Sequence, residues 1–135
     1  MDDLGLVAAI EHCIEQWRRR LPALEISLVV EGDLAGLSEH ANLTVYRLAQ
    51  ESITNAARHS QASRLTVKLS RLHAPDRIGI AVADDGVGAD LSAPKAGFGL
   101  VSMRERVEMQ GGSFDVRSAP SQGFALTVQF PVHRS

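Results

Sequence analysis

Cysteine occurs once in this chain, at Cys13, so no internal disulfide can form, and that thiol has no companion at usable metal-ligand spacing. It reads as a small apolar core residue in a reducing compartment. No apolar run approaches the roughly 20 residues needed to span a bilayer. The opening Met1-Asp2-Asp3 is acidic where a signal peptide would be basic, so a cytoplasmic domain with no membrane contact is expected. Net charge is also nearly absent: 14 Lys and Arg stand against 16 Asp and Glu, leaving −2 and a pI near 6.2, with no basic run. That balance excludes a general attraction to nucleic acid, and any phosphate must be met locally. Repeats, linkers and low-complexity segments are missing too. What remains is ordinary globular usage, 44% hydrophobic and 22% charged over 135 residues, enough for one compact domain spanning residues 1–135.

Hydrophobic spacing divides the chain into alternating elements. Leu6, Ile10, Cys13, Ile14, Trp17 and Leu21 recur at helical intervals and predict an amphipathic helix over residues 4–20 that stops near Pro22. Ile26, Leu28 and Val30 predict a strand running into Gly32-Asp33. Ser38 is a candidate N-cap for a long helix over residues 39–59, with Leu43, Tyr46, Ile53 and Ala57 as core candidates. Strands over 65–72 and 78–83 read as a hairpin, since Pro75-Asp76 is a turn signal. A loop over 84–99 follows, then a helix over 100–110 ended by Gly111-Gly112, and strands over 113–118 and 124–132. Strand pairs separated by helices predict an α+β fold, a two-layer sandwich with a mixed sheet covered by helices on one face.

Three features carry chemistry. Asn55, Arg58 and His59 lie four, seven and eight residues beyond Glu51, and the four form a polar stripe on the second helix. Asp84-Asp85-Gly86-Val87-Gly88 follows a strand, where an Asp can accept from an exocyclic amine and the glycines let a flat ring approach the backbone. Gly97-Phe98-Gly99-Leu100 opens a helix, whose free N–H groups can face phosphate. An amide oxygen such as that of Asn55 suits Mg²⁺, which takes one or two protein oxygens besides phosphate and water. Taken singly, each is equally a solvated helix face or a plain turn.

Together and in order, these segments resemble the GHKL superfamily of gyrase, heat-shock chaperones, MutL and histidine kinases. The run from Arg47 to Ser60 resembles the kinase N box, and Asp84 to Gly88 the first glycine box. Gly97-Phe98-Gly99-Leu100-Val101-Ser102-Met103-Arg104-Glu105-Arg106 resembles the second, and Gly123 to Pro131 the last. Leu4-Gly5-Leu6 with the helix to Trp17 is similar to the segment after the dimerisation helices of nitrate-sensor-like and sugar-phosphate-sensor-like kinases, making residues 1–22 linker-like. The resemblance implies a Bergerat ATP-binding fold that positions ATP with Mg²⁺ for γ-phosphoryl transfer. The acceptor would be a His on separate dimerisation helices, and a response regulator Asp would receive the phosphoryl group next. Position by position, it implies that Asn55 ligates Mg²⁺, Asp84 accepts from the adenine amine, and Gly86 and Gly88 let the base approach. Gly97, Gly99 and Leu100 would border the phosphates, Glu51 would be the base or water-orienting carboxylate, and Arg58 and His59 would lie near the phosphates.

The sequence departs from the family pattern at three places. The last box usually continues Gly-Thr, with the hydroxyl in the adenine network, but here Phe124 follows Gly123. The stretch between Gly88 and Gly97 is short for a lid, so an open and fairly weak site is expected. None of the five histidines is followed by the acidic residue that marks a phospho-acceptor, so the chain is expected to hold ATP without completing transfer alone. Two other readings fit the same residues: a degenerate nucleotide sensor without transfer, and an anti-sigma-type serine kinase.

Overall fold

The computed structural model describes residues 3–34, 36–59, 61–72, 76–87, 100–119 and 123–132, and for Asp3, Leu4 and His59 the backbone alone. Gly88, Gly97 and Gly99 therefore lie outside the described residues. The elements run α1 (Asp3–Arg20), β1 (Glu25–Glu31), α2 (Glu39–His59), β2 (Arg64–Leu72), β3 (Arg77–Asp84), α3 (Leu100–Glu108), β4 (Ser113–Ser118) and β5 (Phe124–Pro131). The strands form one mixed sheet in the order β1-β2-β3-β5-β4, parallel between β1 and β2 and antiparallel elsewhere. The predicted hairpin is β2 paired with β3, and the helices share one face of the sheet.

Each helix buries the stripe its spacing dictates. On α1, Leu6, Ile10, Cys13 and Ile14 are buried, and burial pushes the Cys13 thiol pKa up. On α2 the stripe is Ala41, Val45, Leu48, Ala49, Ile53 and Ala56. Ser38 caps this helix as expected: its Oγ accepts from the Ala41 N–H at 3.1 Å. Two expected core residues are corrected. Leu43 is 41% exposed, because position 43 sits about 200° around the helix from both Ala41 and Val45. Leu21 is 36% exposed, since the chain leaves the helix there toward Pro22 although the Leu21 N–H still reaches the Trp17 carbonyl.

The end of α3 is a Schellman turn. The Gly112 N–H donates to the Val107 carbonyl and the Gly111 N–H to that of Glu108, each at 3.0 Å, with Gly111 at φ 77°. This delivers the chain directly into β4. Met103 and Val107 anchor α3 to the core.

Across the sheet, the helix-facing residues of β3 and β5 pair as Ile78 with Phe130, Ile80 with Val128 and Val82 with Leu126, all buried. The next rung in this series pairs Asp84 with Phe124, and both are only half-buried. At the opposite end the core closes on Arg71, which is buried and held by two parallel bonds from Nε and Nη2 to Asp76, at 2.7 and 2.9 Å. No helix of the described residues is long and apolar enough to cross a membrane.

The two α2 leucine-class positions make opposite predictions. Ile53→Ala should destabilise the domain by about 2–5 kcal/mol by opening a cavity under α2, whereas Leu43→Ala should stay within about 0.5 kcal/mol of the parent. Urea denaturation of both variants checks this; equal losses would mean that the helix is rotated from the described orientation.

Candidate functional site

The half-buried end of the core is where chemistry concentrates. Asp84 is the last residue of β3, and its Oδ1 accepts from the Gly86 N–H at 2.8 Å, which turns the chain sharply out of the strand. Among the described residues, Oδ2 accepts no hydrogen bond. Burial raises the Asp84 pKa above the ordinary carboxylate value, opposed by the Gly86 bond and assisted by the neighbouring Asp85 charge. The carboxylate is thus half-desolvated, fixed by one oxygen, and ready to accept from a donor at the other.

Asp85, its neighbour in sequence, does something different. It is exposed and accepts from the Ser63 hydroxyl at 2.6 Å, the Ser63 N–H at 2.8 Å and the Arg64 N–H at 2.9 Å. Those bonds, the Ser63 hydroxyl foremost, hold its pKa below the ordinary value. Asp85 pins the exit of β3 to the entry of β2. The two adjacent carboxylates have separate tasks, one structural and one left available.

Gly123 completes the corner. It is buried at φ 74°, and a Cβ there would lie 2.5 Å from the Asp84 carbonyl oxygen. Only glycine permits this approach. The Ser118 hydroxyl donates to the Gly123 carbonyl at 2.7 Å, tying the end of β4 to the start of β5.

The polar stripe of α2 divides between its neighbours. Glu51 Oε1 meets Arg106 Nη1 of α3 at 3.2 Å, with roughly a third of each side chain exposed. Arg58 goes the other way: its guanidinium lies 5.9 Å from the centre of the Trp17 ring on α1, which also carries Arg20 at 5.4 Å. Asn55 is half-buried, and no described residue bonds its amide. Leu100 opens α3, half-buried. The structure therefore brings Glu51 to α3, puts Arg58 beside α1, and leaves the His59 side chain outside the described residues. Sequence reasoning missed Arg106 as the partner of Glu51, although it stood in the quoted second glycine box. It also missed the Asp85 clamp, which needs the β2–β3 register to be seen. Ser52 and Met103 add a second α2–α3 contact at 4.0 Å, and the Gln110 amide donates to Thr44 Oγ1 at 2.8 Å.

This chain matches, over residues 40–134, the family described as histidine kinase-, DNA gyrase B-, and HSP90-like ATPase, and it belongs to that family. It is 29% identical over 133 residues to the signal transduction histidine-protein kinase/phosphatase DegS of Brevibacillus brevis, covering 98% of this chain and 34% of that protein. It is 30% identical over 131 residues to the signal transduction histidine-protein kinase/phosphatase UhpB of Salmonella typhimurium, covering 97% of this chain and 25% of that one. The chain thus spans about a third or less of these relatives. Its fold is that of the histidine kinase domain from the Erythrobacter litoralis EL346 blue-light activated histidine kinase, with a TM-score of 0.73 at 18% identity, covering 94% of this chain and 61% of that one. The expected fold class, and the resemblance to sensor kinases, are both borne out.

Two outcomes follow from the corner geometry. Gly123→Ala should cost at least about 1–2 kcal/mol from the left-handed backbone alone, measured by urea denaturation; an unchanged midpoint would mean that β5 does not approach Asp84 so closely. The second concerns pH. Because the folded-state pKa of Asp84 is raised, its ionised form weakens the fold above that pKa, and the penalty disappears as pH falls below the unfolded value. Asp84→Asn should therefore be more stable than the parent near neutral pH in the absence of ligand, with the difference vanishing in acid. A variant less stable at neutral pH would contradict the desolvation.

Proposed function

We propose that this chain is the ATP-binding catalytic domain of a two-component sensor histidine kinase, with residues 1–22 leading in from the dimerisation helices. The observation that carries the reading is the Asp84 carboxylate, half-buried at the end of the core, with one oxygen held by Gly86 and the other bonded by no described residue. A carboxylate so placed suits the 6-amino group of adenine, a donor that compensates its desolvation.

Asn55 fits the proposed metal role by the chemistry of its donor: the amide oxygen of this half-buried residue, bonded by no described residue, is a hard ligand of the kind Mg²⁺ takes. When bound, Mg²⁺ would supply neutralisation of charge on the phosphate oxygens. Glu51 is the carboxylate that would orient or deprotonate the attacking group, and Arg106 fixes one of its oxygens. Gly97, Gly99 and Leu100 would border the phosphates at the start of α3, with Gly88 beside the base and His59 near the phosphates. Arg58 is proposed for the same neighbourhood, and reaching it would require leaving the Trp17 ring. The acceptor His would belong to separate dimerisation helices and the final acceptor to a response regulator, and the domain would work in the cytoplasm.

Calorimetric titration with ATP and ADP, with and without Mg²⁺, tests this. ATP should bind, and Asp84→Asn should weaken it by on the order of 1–3 kcal/mol. Asn55→Ala should spare metal-free ADP binding while reducing the Mg²⁺ dependence of ATP binding. No adenine nucleotide binding would overturn the proposal, and equal loss with and without Mg²⁺ would remove Asn55 from the metal.

A further inference from the structure

The corner holds one more group that the family pattern does not supply. Phe124 is the direct cross-strand partner of Asp84, and directly opposed residues project from the same face of a sheet. That face is the one the helices cover. One rung inward, Val82 and Leu126 are 2% and 1% exposed, whereas Phe124 and Asp84 remain half-buried. A half-buried aromatic side chain stands beside a carboxylate to which, among the described residues, nothing donates at one oxygen. Part of Phe124 packs against the core, which holds it in place. Gly123, the residue immediately before it, is fixed by its approach to the Asp84 main chain and by the Ser118 bond.

We propose that Phe124 forms a wall of the base pocket and stacks on the purine ring whose amino group Asp84 accepts. This rests on the nucleotide-binding reading above and deepens it. A hydroxyl at this position would read the base by a hydrogen bond, directly or through water. A phenyl ring contributes instead through its face, which is tolerant of base identity and adds affinity without adding selectivity. The site then separates two tasks: Asp84 selects the 6-amino group, and Phe124 holds the flat ring. The replacement of Thr by Phe is on this account an exchange of one kind of adenine contact for another, and it does not mark a site that has lost its ligand.

The test uses the whole chain labelled with ¹³C-phenylalanine and titrated with ADP, alongside calorimetry on two variants. Ring resonances of Phe124 should shift by the ring current of the base, while those of the buried Phe114 and Phe130, farther along the strands from Asp84, should not. Phe124→Leu, which keeps an apolar side chain but no ring, should weaken ADP on the order of tenfold, and Phe124→Tyr should remain within about twofold of the parent. ADP binding with an unmoved Phe124 ring and an unchanged Leu variant would overturn the inference while leaving the nucleotide reading intact. Failure of ADP to bind the unmodified chain would overturn both. Should the Leu variant fail to fold, the resonance shifts in the unmodified chain decide the question.

Discussion

Among the described residues, three helices cover the apolar face of a five-stranded sheet, burying the middle rungs of β3 and β5 and leaving the last rung half-buried. Much else in the molecule follows from that incomplete burial. At one end of the core the problem of a charged residue among apolar neighbours is met inside the protein: Arg71 is buried and its guanidinium is matched by the fork of Asp76, with a further bond from Nη1 to the Asp33 carbonyl. Such a pair is complete and asks for nothing from outside. At the other end, Asp84 is half-buried and, among the described residues, receives one backbone N–H at one of its oxygens. A partly buried carboxylate with open acceptor capacity is a cost in the empty protein and an asset once a donor arrives.

The surrounding residues keep that asset in position. Asp85 draws the strand exit onto Ser63 and Arg64, so the two acidic neighbours do not compete for the same donor. Gly123 lets β5 pass against the Asp84 main chain, and the next residue, Phe124, is thereby set beside the carboxylate. On the helical side, α2 and α3 meet through polar side chains and a Met–Ser contact, with Glu51 and Arg106 paired across the gap. An exposed or half-exposed ion pair of this kind contributes little to stability, typically below about 1 kcal/mol. Its consequence is orientation of the carboxylate, and it ties Glu51 to α3.

Most of the fold was legible in the sequence because its apolar spacing is regular. The alternation in β2 and the α2 stripe from Ala41 to Ala56 each have one period, and Ser38, Gly111 and Gly112 punctuate the ends. Where periodicity alone misplaced a residue, as at Leu43, the cause was choosing a large apolar residue over the smaller alanines that lie on the buried stripe. Tertiary partners were less legible. That Asp84 and Asp85 differ in task depends on Ser63 and Arg64, some twenty positions away in sequence, and that Arg106 faces Glu51 depends on how α3 lies beside α2. Phe124 could be seen as a departure from the family's Gly-Thr, but only the β3–β5 register shows what it stands beside.

The central claim is that the open oxygen of Asp84 awaits a hydrogen-bond donor from a bound base. The most direct test is the titration of the Asp84 carboxyl, followed by ¹³C NMR in the empty chain and at saturating ADP. The account predicts a midpoint above the ordinary aspartate value when empty, moving down when the adenine amine donates to the ionised form. A midpoint at or below the ordinary value in the empty chain, or one that saturating ADP leaves in place, would contradict it.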